Sequence, residues 1–372
     1  MRLIFLCANV DTNNFINSGY RTLQLAHSLA KEEVEIHFIS NFGNALSISN
    51  NKVSKKIYYH NVSLYNWPDI DYISYVYKLN LSFIPVLFKT IKKYGPFDIL
   101  CSFDWTVSIA AKAGASSYQL IWVNFLSSLE SIRNDLENTD NNYIFTMEKF
   151  ILKQKNTIIT ESNYLESELR KMCKKDKNIK YLFPYYTTSD INRYFPTEKR
   201  IIIIYSSFYK QNQIEIVLDL VSKLKPYERN YNILVVGEGI LFHNIKNNIL
   251  NSNAADFTVV KEKLSYGDLV SFSKNIDLFI AANPYYTNLS VISEILHLNI
   301  PVFINKTKSF NDLHKFLPKT HFFNGAEDPE LLKKINVLLK KEPDTKGIMN
   351  EIYSVESYAS KLIQIFRELR SN

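Results

Sequence analysis

Short, almost wholly apolar runs alternate with amphipathic segments along the chain, and the alternation is interrupted once, near residue 190. RLIFLCA, VEIHFIS, FDILCSF, QLIWVNF and NTIITES come before the interruption; RIIIIYS, YNILVVGEG, DFTVV, IDLFIAA and PVFIN come after it. A run that is apolar at successive positions, not every second one, has both faces buried, as strands of a parallel sheet do. Between the first two runs, Leu23, Leu25, Ala26, Leu29 and Ala30 fall largely on one helical face. Strand, helix and strand in that order form a βαβ unit with a right-handed crossover. The pattern predicts an α/β chain of two Rossmann-like, doubly wound domains facing across a cleft. The expected divisions are an N-terminal domain at 1–186, a linker at 187–199, a C-terminal domain at 200–350, and a closing helix at 351–372 that returns to the first domain. Such sheets bind ligands outside the carboxyl ends of their strands.

Composition narrows the class further. At 372 residues, with 46% apolar and 22% charged, the chain is neither disordered nor fibrous. It holds 9 glycines where ordinary usage gives roughly 26, so each glycine position carries information. Cys7, Cys101 and Cys173 are widely spaced, with no CxxC and no metal-ligand pattern, which suggests reduced thiols in a cytoplasmic protein. MRLIFLCANV has the look of a short leader, but its apolar run is brief and leads into polar DTNN, so it reads as the first strand. No run approaches the ~20 apolar residues that span a bilayer. The net charge of +7 favours an anionic small molecule or a membrane surface over nucleic acid.

Two stretches carry candidate chemistry. Gly237 and Gly239 in GEG end a strongly apolar strand and open a helix, where glycine lets backbone approach a phosphate or simply makes a tight turn. Phe242 occupies the place of the last glycine of a GxGxxG fingerprint. The second stretch, NPYYTNLSVISEILHLNIPVF, runs from a polar loop holding Thr287 and Asn288 into a helix beginning at Leu289, Ser290 and Val291. Exposed N–H groups at a helix start favour an anion. Glu294, about one turn in, suits sugar hydroxyls better than phosphate; its ordinary alternative is a solvated helix residue.

In order, these segments resemble the retaining glycosyltransferases of the GT-B fold, particularly glycosyltransferase family 4. RLIFLCANV…SGYRTLQLAHSLAKEEVEIHFIS resembles that family's opening strand, glycine loop, helix and second strand, and FDILCSFDW its next strand. MEKFILKQKNTIITESNYLESEL, ILVVGEG, IDLFIAAN, FFNGAEDPELLKKI and VESYASKLIQIFREL extend the likeness over nearly the whole chain. The resemblance implies transfer of a sugar, with retention, from a nucleoside-diphosphate sugar to a saccharide or lipid-linked saccharide acceptor in surface polysaccharide or glycoconjugate synthesis. It implies Gly237, Gly239, Thr287, Asn288, Leu289, Ser290 and Val291 around the diphosphate, and Glu294 on ribose or sugar hydroxyls. Gly19 and Asn124 would approach sugar and acceptor from the first domain, with Asn124 where the family has a histidine. The pattern also departs from the family. Its diphosphate-clamping arginine falls near Ser207 and its lysine near Asn212, leaving Lys210, with Lys263 second, to neutralise the leaving group; the first of its two acids falls at Tyr286. No paired carboxylates stand at a strand end, so no metal and no cofactor beyond the donor is expected; dipoles can take the ion's place.

The remaining features have plain readings. The histidines show neither HExxH nor a close metal pair. Asp104 is a strand-end cap or a crevice residue, and Glu130 with Arg133 is an i,i+3 surface pair or reaches an acceptor. Pro85 is expected to kink or bound the helix in 72–93. That stretch sets Lys78, Lys89, Lys92 and Lys93 among aromatic and aliphatic residues. It packs as an ordinary helix with a solvated lysine face, or lies peripherally on an anionic inner-leaflet surface. The missing clamp leaves another class open, a catalytically degenerate subunit that binds an acceptor or a partner transferase. A third, a two-domain sugar-phosphate enzyme such as an epimerase, would want a carboxylate or histidine pair in the cleft, and none is apparent in the sequence.

Overall fold

A computed structural model describes residues 1–11, 18–43, 56–66, 72–129, 141–173, 177–186, 199–208, 210–282, 289–306, 308–315, 317–340 and 353–371. The chain divides into two compact units, the first comprising 1–12, 16–187 and 353–372, the second 13–15 and 188–352. All but Lys199 of the expected linker lies outside the described residues.

The first unit runs β1 (Arg2–Asn9), α1 (Ser18–Lys31), β2 (Glu35–Asn41), β3 (Ile57–Asn61), α2 (Tyr72–Tyr94), β4 (Ile99–Phe103), a 3-10 turn at Trp105–Val107, and α3 (Ser108–Tyr118). It continues through β5 (Ile121–Leu126), α4 (Asn141–Leu152), β6 (Thr157–Thr160), α5 (Asn163–Met172), β7 (Ile179–Tyr181) and β8 (Tyr185–Tyr186). Seven strands pair in parallel in the order β3-β2-β1-β4-β5-β6-β7. The continuous apolar runs are buried on both sides, as strands between two helical layers must be. On one side Phe5, Phe38 and Cys101 pack with Leu25 and Leu29 of α1. On the other, Ile4, Leu6 and Trp122 pack with Phe83 and Leu87 of α2 and Ala110 of α3.

The second unit runs β9 (Arg200–Tyr205), α6 (Gln211–Lys223), β10 (Tyr231–Val236), α7 (Phe242–Leu250), β11 (Thr258–Lys261), α8 (Tyr266–Phe272), β12 (Ile276–Ala281) and α9 (Leu289–His297). Then come β13 (Val302–Asn305), β14 (Phe322–Phe323) and α10 (Leu331–Lys340). Its six strands are parallel in the order β11-β10-β9-β12-β13-β14. The chain then re-enters the first unit. β15 (Tyr353–Ser354) pairs with β8, and α11 (Val355–Ser371) lays Tyr358, Leu362 and Phe366 into the α1 layer. Lys31–Glu356 at 3.3 Å and Arg370–Asp98 at 3.0 Å tie α11 to α1 and to the start of β4.

In both sheets the strand order reverses once, between β1 and β4 and between β9 and β12. At such a reversal the flanking helices leave on opposite faces and open a crevice at the carboxyl ends. Two strands, β3 and β14, go beyond the sequence reading. Of the two readings of Pro85, a kink or a boundary, the boundary is not seen, because Pro85 lies inside α2. Its inner residues Val76, Leu79, Phe83 and Leu87 are all buried, so packing along the whole inner face offsets one missing backbone hydrogen bond. No described helix is long and apolar enough to cross a membrane.

Candidate functional site

In the second unit the crevice lies where β9 and β12 end. β9 leads into Ser206, Ser207 and Phe208, all buried. Ser206 N–H donates to Val236 O at 3.1 Å, and Phe208 N–H to Glu238 O at 2.9 Å, so the ends of β9 and β10 are stitched into one floor. That stitching explains the glycines. A Cβ on Gly237 would stand 1.8 Å from Ser206 O, and one on Gly239 2.4 Å from Phe208 O. Gly239 also has a φ of +148°, which side chains rarely adopt. On the β12 side, Ala282 N–H donates to Tyr205 O at 2.9 Å. Asn305 holds the next strand end, its Nδ2 donating to Ala282 O at 3.0 Å and its Oδ1 accepting from Gly325 N–H at 2.9 Å.

Helix α9 follows β12 directly in chain order. Leu289 to Leu296 are all buried, among them Ser290, Val291 and Glu294. Glu294 is 2% exposed, which removes the solvated reading. A carboxylate is brought into a packed interior only where partners or a bound group offset its desolvation. Ser293 Oγ donates to Leu289 O at 3.0 Å. Thr287 and Asn288, with Tyr286, lie outside the described residues.

Lys210 is exposed at the start of α6, two residues beyond Phe208. Its N–H donates to Gln213 Oε1 at 3.0 Å, and Gln213 N–H returns a bond to its carbonyl at 3.1 Å, which fixes the first turn of α6. Lys263 is exposed beyond β11.

In the first unit the crevice lies at the ends of β1 and β4. Gly19 is buried in the first turn of α1. Asp104, at the end of β4, has a φ of +76°, and its Oδ1 accepts from Trp105 N–H at 2.6 Å, so it caps the 3-10 turn. Asn124 is fully buried on β5. Its Oδ1 accepts from Ser102 Oγ at 2.9 Å, and Ser102 Oγ accepts from Trp122 Nε1 at 2.8 Å. Its Nδ2 has no partner among the described residues. Glu130 and Arg133 lie outside them.

Sequence reasoning missed a second buried group in this unit. Arg21 of α1 is buried, donates to Tyr185 O, and lies 4.6 Å from the Tyr185 ring centre. Tyr185 OH donates back to Arg21 O at 3.0 Å. Burial pushes the Glu161 carboxyl up while the Arg21 charge opposes it, and burial raises the Tyr358 hydroxyl well above its usual range. Nothing in the sequence pattern marked it, because α1 carries polar residues throughout and one arginine among them reads as a solvated position. Asn305 went unread because a lone asparagine at a strand end has no pattern.

The arrangement has close counterparts among solved structures. Sucrose-phosphate synthase from Thermosynechococcus elongatus aligns over 100% of this chain and 99% of its own, with a TM-score of 0.76 and 13% identity. Anabaena HepE, solved in complex with UDP and glucose, aligns over 100% and 98%, with a TM-score of 0.65 and 13% identity. A UDP-N-acetylglucosamine 2-epimerase-like protein from Listeria monocytogenes aligns over 100% and 97%, at 0.68 and 13%. The chain therefore has the GT-B fold, two Rossmann-like units of parallel sheet. Residues 188–354 match the sequence model of the family Glycosyl transferases group 1, the range that carries the β9–β12 crevice and α9. No curated protein matches the chain by sequence at a significant level. Transferase and epimerase share this architecture, so the fold leaves the reaction open.

Proposed function

We propose that the protein is a retaining, metal-independent glycosyltransferase, similar to glycosyltransferase family 4, using a nucleoside-diphosphate sugar and a saccharide or lipid-linked saccharide acceptor. Buried Glu294 carries the reading: a glutamate inside a packed helix just after the switch-point strand, within the residues that match the glycosyltransferase family. The diphosphate rests on the floor made by Ser206, Ser207 and Gly237 and against the start of α9 at Ser290–Val291. Glu294 accepts hydrogen bonds from ribose or sugar hydroxyls. Lys210, exposed at the edge of the floor, screens the leaving group. The bond from C1 to the β-phosphate oxygen breaks, and the acceptor hydroxyl bonds C1 on the same face. Its proton passes to the departing phosphate oxygen. Dipoles and one ammonium stabilise the developing charge. Gly19 lines the acceptor side; Asn124, with no exposed surface, acts by holding the β4–β5 strand ends in place.

The UDP and glucose bound by the Anabaena protein make UDP the first nucleotide to try. A thermal-shift panel of UDP, GDP, ADP and CMP, followed by a donor-hydrolysis assay, tests the reading. One diphosphate is expected to raise the melting temperature, and the cognate donor to be hydrolysed slowly. The absence of an arginine at Ser207 favours a second reading, a non-catalytic subunit that binds an acceptor or a partner transferase. No nucleotide shift, no hydrolysis and stable association with another protein would establish that reading in place of the first. Epimerised donor would point to the third class.

A further inference from the structure

The outer face of the first unit formed by α2, α3 and α4 is chemically one-sided. Tyr77, Leu81, Pro85, Lys89, Lys92 and Lys93 form the exposed stripe of α2. Spacings of four and three residues place them on one side of the helix. Tyr77 is 51% and Leu81 48% exposed. Neighbouring rings and cations join the three helices: Phe88 meets Tyr118 of α3 at 5.4 Å, and Lys112 of α3 lies 4.4 Å from the ring centre of Phe150 on α4. Phe150 is 45% exposed, and Lys149 stands over Phe145 at 3.9 Å. An open groove of about 520 Å³ runs along Pro85, Phe88, Lys89, Lys92 and Lys93. Across the three helices the sequence holds one acid, Glu148, which is buried, and no arginine. Among the described residues, none of Lys89, Lys92, Lys93, Lys112 and Lys149 is paired with a carboxylate.

We infer that this three-helix face docks on an anionic lipid bilayer. A solvated helix face normally mixes both signs of charge. This one keeps only the positive, and places aliphatic groups that form no hydrogen bond, Leu81 and Pro85, beside it. Lysine stems reach past an apolar ridge to bring their ammonium groups to phosphate level. Single-stranded nucleic acid is the competing polyanion. Its sites characteristically use arginine beside stacked aromatic platforms; across these three helices arginine is missing, and the exposed positions next to the lysines on α2 include aliphatic Leu81 and Pro85. The inference is independent of the nucleotide site, because every residue it uses lies on α2, α3 or α4.

Co-sedimentation of the full chain with vesicles tests it. Binding to vesicles of 30% phosphatidylglycerol in phosphatidylcholine is expected to exceed binding to pure phosphatidylcholine at least tenfold, and to fall steeply between 50 mM and 500 mM salt. The triple variant Lys89→Glu, Lys92→Glu, Lys93→Glu changes only exposed side chains. It is expected to lose at least tenfold in binding with an unchanged melting curve at pH 8, where the neighbouring His60 is neutral. Leu81→Glu is expected to weaken binding severalfold. Equal binding to neutral and anionic vesicles, full binding by the triple variant, or displacement from vesicles by a single-stranded RNA 20-mer at lower concentration would each overturn the inference. Should the triple variant misfold, Lys112→Glu with Lys149→Glu reads the same face from α3 and α4, with the same outcomes decisive.

Discussion

Individual residues supply the sharpest tests. Gly237 and Gly325 separate two reasons for a glycine. At Gly237 a methyl group would overlap a backbone carbonyl, which cannot swing aside as a side chain can. Gly237→Ala is therefore expected to cost about 3 kcal/mol, lowering the melting temperature by roughly 6–12 °C and displacing the β9 loop. Gly325 has a φ of +67° and open space around its Cβ position, so Gly325→Ala carries only conformational strain, about 1 kcal/mol. Similar losses at both positions, in a denaturant titration, would contradict this account of the floor. Glu294→Gln keeps shape and removes charge; it is expected to weaken nucleotide-sugar binding about tenfold by calorimetry, a loss of about 1.4 kcal/mol. Lys210→Ala, at an exposed position, should lower donor turnover while leaving the melting curve unchanged. If neither variant alters binding or turnover, the site assignment fails.

At the scale of elements, the start of the first sheet stores a pH response. Arg2 Nη2 and Glu35 Oε1 lie 2.7 Å apart, and His37 Nε2 lies 3.2 Å from the same oxygen. His37 Nδ1 meets His60 Nε2 at 2.9 Å, with the rings stacked 5.1 Å apart and Tyr58 and Tyr94 against His37. Burial lowers His60 to about 4, aided by His37 and Lys93; burial also lowers His37, against the pull of Glu35. Below its ordinary range a histidine binds protons more readily in the unfolded chain. This stability is fully present above about pH 6.5 and is lost as the pH falls toward 4. A series of thermal melts should show that slope, and His60→Asn should flatten it; an unchanged slope would contradict the assignment. The elements also show what the sequence could reveal. β1, β4 and β9 were legible because both their faces are buried, which leaves a continuous apolar run. β3 was not, since at the sheet edge only Ile57 of its five residues is buried and the rest are polar or aromatic positions partly open to solvent, and β14 spans two phenylalanines. Pro85 left a kink and a boundary both open, because a proline marks a backbone cost, while the continuation of α2 rested with inner-face packing that only the fold reveals.

Across the whole molecule, two sheets with one strand-order reversal each provide two crevices, and the second coincides with the family match. The position of Glu294 was readable from the sequence, but its burial was not. Solvated and buried glutamates look alike until the helix is seen packed on all sides. The glycines were read as facing a phosphate or as making a tight turn; the structure shows the close backbone packing that requires them, where two strand ends meet. A crystal structure of the full chain with a nucleoside diphosphate is the most direct test. Phosphate oxygens within hydrogen-bond reach of Ser207 and the first turn of α9, with Glu294 on a sugar or ribose hydroxyl, are the predicted result. A nucleotide bound elsewhere, with Glu294 still enclosed by its own protein neighbours, would contradict the central claim.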